Sequence, residues 1–211
     1  MLKLIQNVNL LSGSGEIIGF RQGDLDGACG IYSVVTAMVA GGFITRNEAQ
    51  KAWSYTPDNR TKLANAISHL PVLAQDGTDS YHQIQLIKAL EWYIKKTNAC
   101  KPVLLNGKGK SLIAEIVKQL EESNPVIIHL DWRGEGAHAV VAVGYEEDGD
   151  SVPAHILVVD PGFEISRVQL WNGVLTCYSA QKGKKPYYYW VGHTNESDSY
   201  CQIINGISLT P

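Results

Sequence analysis

The sequence predicts an α+β fold, and three features predict it. Up to about residue 123 the apolar residues recur at helical spacing. After Asn124-Pro125 they gather in short runs of strand type. The two textures follow one another and do not alternate, which argues against repeated β-α units. With 211 residues, 45% of them hydrophobic and 18% charged, the chain can bury a sizeable core. No flexible linker separates the two textures, so the expectation is a single domain over 1–211. A helical lobe would cover about 20–123 and a sheet lobe about 124–211.

Each element has its own signal. Ile31, Val34, Val35, Met38 and Val39 keep helical spacing, and Gly41-Gly42 ends that helix. Thr45 and Glu48 form a capping-box pattern ahead of a short helix running towards Trp53. Leu86, Ile87, Leu90, Tyr93 and Ile94 mark a longer amphipathic helix. Leu112, Ile113, Ile116, Val117 and Leu120 mark another, with Ser111 as its candidate cap. The expected strands are Val126–Leu130, Ala139–Val143, Ile156–Val159, Tyr187–Val191 and Gln202–Leu209.

Composition excludes some classes of function. The formal net charge is -3, and no run of Lys and Arg would form a phosphate-binding stripe, so nucleic acid is not an expected partner. Gln6, Asn7 and Asn9 interrupt the apolar start, which is too broken for a secretory leader. No window approaches the ~18 apolar residues of a membrane span. The expected location is the cytoplasm, or export by a route that needs no N-terminal leader. Cys29, Cys100, Cys177 and Cys201 show neither a CxxC pair nor metal-like spacing with histidine, and read as thiols. No cofactor is implied.

Cys29 stands out by its surroundings. The segment Gln22-Gly-Asp-Leu-Asp-Gly-Ala-Cys29-Gly30 reads as a glycine-rich loop, and the helical pattern begins just after it. Cys29 is therefore placed at a helix N-terminus. There the backbone N–H groups and the helix dipole favour an anion and lower a thiol's pKa. A backbone N–H at that point can also donate to an oxyanion. Gly30 would leave the approach to the sulfur uncrowded. A cysteine in the first turn of a helix is also an ordinary core residue, so a nucleophile needs a base from elsewhere.

His138 is the candidate base. It opens the run His138-Ala-Val-Val-Ala-Val-Gly-Tyr145. The polar stretch Glu146–Ser151 follows, and then Ile156-Leu-Val-Val-Asp160-Pro-Gly162. Two apolar runs about a polar loop suggest an antiparallel hairpin. His138 and Asp160 both stand eleven residues from Gly149 in that loop. In a symmetric, unbulged hairpin they would be direct cross-strand partners, with Cα atoms ~4.5–5.5 Å apart. A carboxylate at that range can orient an imidazole so that one ring nitrogen faces the thiol. Read separately, Asp160-Pro161-Gly162 is an ordinary turn signal and His138 a residue at a strand start.

The order Gln22, Cys29, His138, Asp160 resembles that of the papain-like cysteine peptidases. His138 through Tyr145 is similar to the histidine strand of papain and staphopain. Cys29-Gly30 and Asp160-Pro161 resemble the bacterial branch that includes the double-glycine leader peptidases of bacteriocin exporters. The resemblance covers three short segments. It implies a papain-like fold, with a helical lobe carrying the nucleophile and an antiparallel sheet carrying His and Asp. It also implies amide hydrolysis through a thioester, with a protein or peptide substrate, and assigns Gln22 to the oxyanion hole with the Cys29 N–H. The step from Gln22 to Cys29 is one residue longer than the family's usual step, and Gly30 stands where papain has an aromatic residue.

Other readings use the same residues. The catalytic set can deamidate or transamidate Gln or Asn side chains, as an effector with an inhibitor or immunity protein would. A papain-like domain can also serve as a binding module. His129, Asp131, His138, His155 and Asp160 are of types that suit zinc, although without HxxxH-type spacing. Trp132 and Trp171 are core residues or pocket walls, and Tyr187–Trp190 is an aromatic run that a partner could cover.

Overall fold

The computed structural model describes residues 1–5, 18–21, 28–54, 77–94, 100–132, 136–148, 153–164, 171–177, 188–191 and 199–211. Among them the helices are α1 (Cys29–Ala40), α2 (Arg46–Ser54), α3 (Ser80–Ile94) and α4 (Lys110–Glu121). The strands are β1 (Leu2–Leu4), β2 (Lys101–Leu105), β3 (Val126–Asp131), β4 (Ala137–Glu147), β5 (Pro153–Val159), β6 (Gly173–Thr176), β7 (Tyr188–Val191) and β8 (Ser199–Thr210). The fold class is α+β, and the described strands pair antiparallel throughout.

Helix α1 starts at Cys29, where the sequence places it. Almost every residue from Gly30 to Ala40 is buried, as expected of a helix that is apolar all round. It packs on β3 and β4 on one side and on α2 and α3 on the other. Its end needs Gly42, whose φ of +71° is left-handed, while the Phe43 N–H returns to Met38 O at 3.0 Å. The capping box ahead of α2 forms. Glu48 Oε2 accepts from the Thr45 N–H at 2.7 Å, and the Glu48 N–H donates to Thr45 Oγ1 at 3.2 Å. In α4 the N-cap is Gly109, not Ser111; the Ser111 hydroxyl instead donates to Lys108 O at 3.0 Å.

The sheet runs β1-β4-β3-β8-β7-β6-β5, and an additional β4–β5 pairing closes β4, β3, β8, β7, β6 and β5 on themselves. Strand β4 is long enough to pair with β3 through its first half and with β5 through its second. β1 and β2 come from before residue 124 and join the same sheet, on β4 and β8 respectively. β2 carries Pro102 and pairs with β8 alone among the described strands. Such an edge tolerates a residue that cannot donate to the ladder.

The β4–β5 hairpin is not symmetric. Its register shifts between Ala142 and Gly144 and again between Glu146 and Glu147. Val141 pairs with Val159, so one step further along the same register Asp160 falls opposite Val140 and not opposite His138. His138 and Asp160 are thus diagonal neighbours on one face, within reach of an imidazole. Gly149 lies outside the described residues.

A candidate thiol–imidazole–carboxylate site

Three elements bring the site together. Cys29 opens α1, His138 lies near the start of β4, and Asp160 follows the last residue of β5. The first intrahelical bonds run from the Ile31 and Tyr32 N–H groups to Ala28 O, at 2.9 and 3.1 Å. The N–H groups of Cys29 and Gly30 therefore lie ahead of the helical ladder, at the positive end of the helix. One turn deeper, the Ser33 hydroxyl donates to Ala139 O at 2.8 Å and joins α1 to β4 directly beside His138.

His138 Nε2 is 2.7 Å from Asp160 Oδ1, and the carboxylate is almost wholly buried. The same oxygen accepts from the Gly162 N–H at 2.7 Å, so the Asp-Pro-Gly turn orients its own carboxylate. With Nε2 engaged, Nδ1 is the ring nitrogen that remains for the Cys29 sulfur, with which His138 makes a side-chain hydrogen bond. Trp132 packs against the imidazole, its ring centroid 5.5 Å away at an interplanar angle of 58°.

The electrostatics follow from these contacts. Burial alone would push the Cys29 thiol up. The hydrogen bond and charge of His138, together with the backbone N–H groups of Ala139 and Gly30, outweigh it and hold the thiol below its ordinary value. Burial alone would push His138 down. The hydrogen bonds to Asp160 and Cys29 outweigh that and lift it to about 10. The two residues thus favour a thiolate–imidazolium pair. Cys100, Cys177 and Cys201 behave differently, because burial pushes each up to about 12. None of the four cysteines is in a disulfide.

Gly30 does something the sequence did not suggest. A Cβ there would lie 1.6 Å from Thr78 Oγ1 and 2.6 Å from Gln83 Nε2, so the start of α3 fills the space beside it. Gln83 is fully buried, and its Oε1 meets His129 Nε2 at 2.9 Å, while His129 Nδ1 meets Asn205 Oδ1. A polar chain therefore joins α3 to β3 and β8, and its α3 end packs against the first turn of α1 at Gly30. Gly30→Ala should cost about 1–3 kcal/mol by overpacking. It should also slow Cys29 alkylation, because the first helical turn must shift. Denaturant melts and alkylation rates on the same variant check both.

The other expected residues fall elsewhere. Gln22 and the loop with Asp24 and Asp26 lie outside the described residues. Of the five residues weighed for zinc, only His138 and Asp160 come together. His129 bonds Gln83 and Asn205, His155 Nδ1 bonds Glu146 Oε2 at 3.0 Å, and His138 bonds Asp160. Among the described residues no group of three or more His, Cys, Asp or Glu could hold a metal ion, and no helix is long and apolar enough to cross a membrane. Sequence reasoning passed over Asn172, Gln83 and Thr78, since polar side chains in or near turns carry no signal of their tertiary partners.

No curated protein matches the chain. Residues 16–186, spanning Cys29, His138 and Asp160, match the model of the Peptidase_C39 like family. That range covers most of the 211 residues, so the chain belongs to this peptidase-type family within the papain-like cysteine peptidase superfamily.

Proposed function

We propose that the protein is a cysteine-dependent amide hydrolase acting on a protein or peptide, with Cys29 as nucleophile, His138 as acid–base and Asp160 as the residue that orients His138. The observation that carries this reading is the continuous contact from the helix-start thiol to the imidazole and on to a buried carboxylate. The helices around α1 and the sheet holding β4 and β5 correspond in this reading to the two papain-like lobes of a single domain.

In the acylation step the Cys29 thiolate attacks the amide carbonyl and its oxygen takes up the negative charge. The backbone N–H of Cys29 donates to that oxyanion, and Gln22 is the second donor the family order implies. The His138 imidazolium gives its proton to the leaving nitrogen. The C–N bond breaks, the amine departs and a thioester remains. Neutral His138 then takes a proton from water as the oxygen attacks the thioester carbonyl. Collapse releases the carboxylic acid and restores thiolate and imidazolium.

The test is a proteome-wide digest with wild type and Cys29→Ala, read by mass spectrometry. New chain termini that appear with wild type and vanish with Cys29→Ala are the expected result, with the variant's thermal melt preserved. Undiminished cleavage by the variant would overturn the assignment of Cys29. A target that changes mass without chain cleavage would redirect the same chemistry to side-chain amides, as in a deamidase or transamidase effector. Tight capture of a protein with neither change would favour a binding module.

A further inference from the structure

Asp160 stands just past the point where β5 loses β6, one of its two neighbours. β6 pairs with β5 only as far as Gly173 opposite Val158, and the chain then turns away. The side chain of Asn172 occupies the vacated place. Its Oδ1 accepts from the Asp160 N–H at 2.6 Å, and its Nδ2 donates to Asp160 O at 2.8 Å. Nδ2 also reaches Phe163 O at 3.5 Å and Glu164 O at 3.4 Å, on the far side of the turn. The Asn172 main chain is held in turn, its N–H donating to Val158 O at 3.1 Å. Asn172 is 7% exposed and Asp160 1%. One amide therefore completes both backbone valences of Asp160 and gathers the turn whose Gly162 N–H aims the carboxylate.

We propose that Asn172 is a positioning residue for the reaction: it clamps the main chain of Asp160 so that the carboxylate stays on His138 Nε2. The inference rests on the proposed Cys29–His138 pair and adds a fourth residue behind it. Among the described residues Asn172 hydrogen-bonds neither thiol nor imidazole, so it reaches His138 through Asp160 and its turn. Among the described residues, the charged groups at this end of the site are His138 from β4, the Cys29 thiolate from α1, and Glu164. Glu164 is exposed and paired with Arg21 at 3.2 Å.

The test measures Cys29 alkylation by iodoacetamide against pH in four proteins: wild type, Asn172→Ala, Asp160→Ala and the double variant. Releasing the carboxylate weakens the imidazolium, so the thiol titrates higher. Each unit of that rise cuts the thiolate fraction below the pKa about tenfold. Asn172→Ala should move the profile in the direction of Asp160→Ala, and the double variant should match Asp160→Ala alone. A wild-type profile in Asn172→Ala, or an independent additive loss in the double variant, would overturn the clamp. Should Asn172→Ala not fold by circular dichroism, Asn172→Ser takes its place with the same expected direction. If wild-type Cys29 itself reacts only as an ordinary thiol, the catalytic reading fails, and that outcome is distinct from failure of the clamp.

Discussion

Iodoacetamide at about pH 6, well below the ordinary thiol pKa of about 8.5, should alkylate Cys29 and leave Cys100, Cys177 and Cys201 intact. The chain provides its own controls. All four thiols share one molecule, and three of them are pushed up to about 12 by burial. Cys29 is also partly buried, yet its environment reverses the sign. A cationic ring and two backbone N–H groups stabilise the thiolate by more than desolvation penalises it. Cys100 and Cys201 are in addition closed to reagent by the core. Peptide mapping after a short exposure checks the result. Comparable modification of Cys177 and Cys29 would mean that the His138 contact does not lower the thiol. His138→Ala should remove most of the Cys29 labelling at this pH, because it takes away the cation that stabilises the thiolate, even though it opens space beside the sulfur.

The second large effect concerns pH. Thiolate and imidazolium coexist only above the Cys29 pKa and below that of His138. In the proposed reaction the acid limb of kcat/KM should therefore belong to the depressed thiol and the alkaline limb to His138, near 10. Asp160→Ala should narrow this window from both sides. The imidazolium loses its partner, so His138 falls back towards its ordinary 6.5 and the alkaline limb moves down. The weaker cation then stabilises the thiolate less, and the acid limb moves up. Two limbs that converge on the middle of the range are the signature to measure. A uniform drop at every pH would instead mean that Asp160 only supports the local fold. Residual turnover at the centre of the window is expected, because thiol, imidazole and backbone donors remain.

How much of this was legible depends on whether each feature is local. The start of α1 was readable because glycines precede it and an i, i+3, i+4 pattern follows, both within one window. The Thr45–Glu48 box was readable for the same reason. β2 and β6 were not foreseen, since Lys101–Leu105 contains a proline and Gly173–Thr176 is only four residues long. The meeting of His138 and Asp160 was anticipated on a symmetric hairpin, whereas the actual register carries two shifts. The residues meet because an imidazole spans a diagonal as readily as a rung. Equal distance from a turn was thus a sound pointer to proximity and a poor guide to pairing. Gly30 shows the limit most clearly. The reason for a missing Cβ lies in Thr78 and Gln83, and no spacing along the chain names them.

The bond from the Ser33 hydroxyl to Ala139 O sets a division of labour within the molecule. In the proposed reaction, attacker and base are held at their separation by helix and strand, through a bond that joins α1 to β4. A lineage could therefore vary residues away from this contact to suit a new target without retuning the proposed catalytic pair. By the same logic, a change at Ser33 would act on the spacing of that pair.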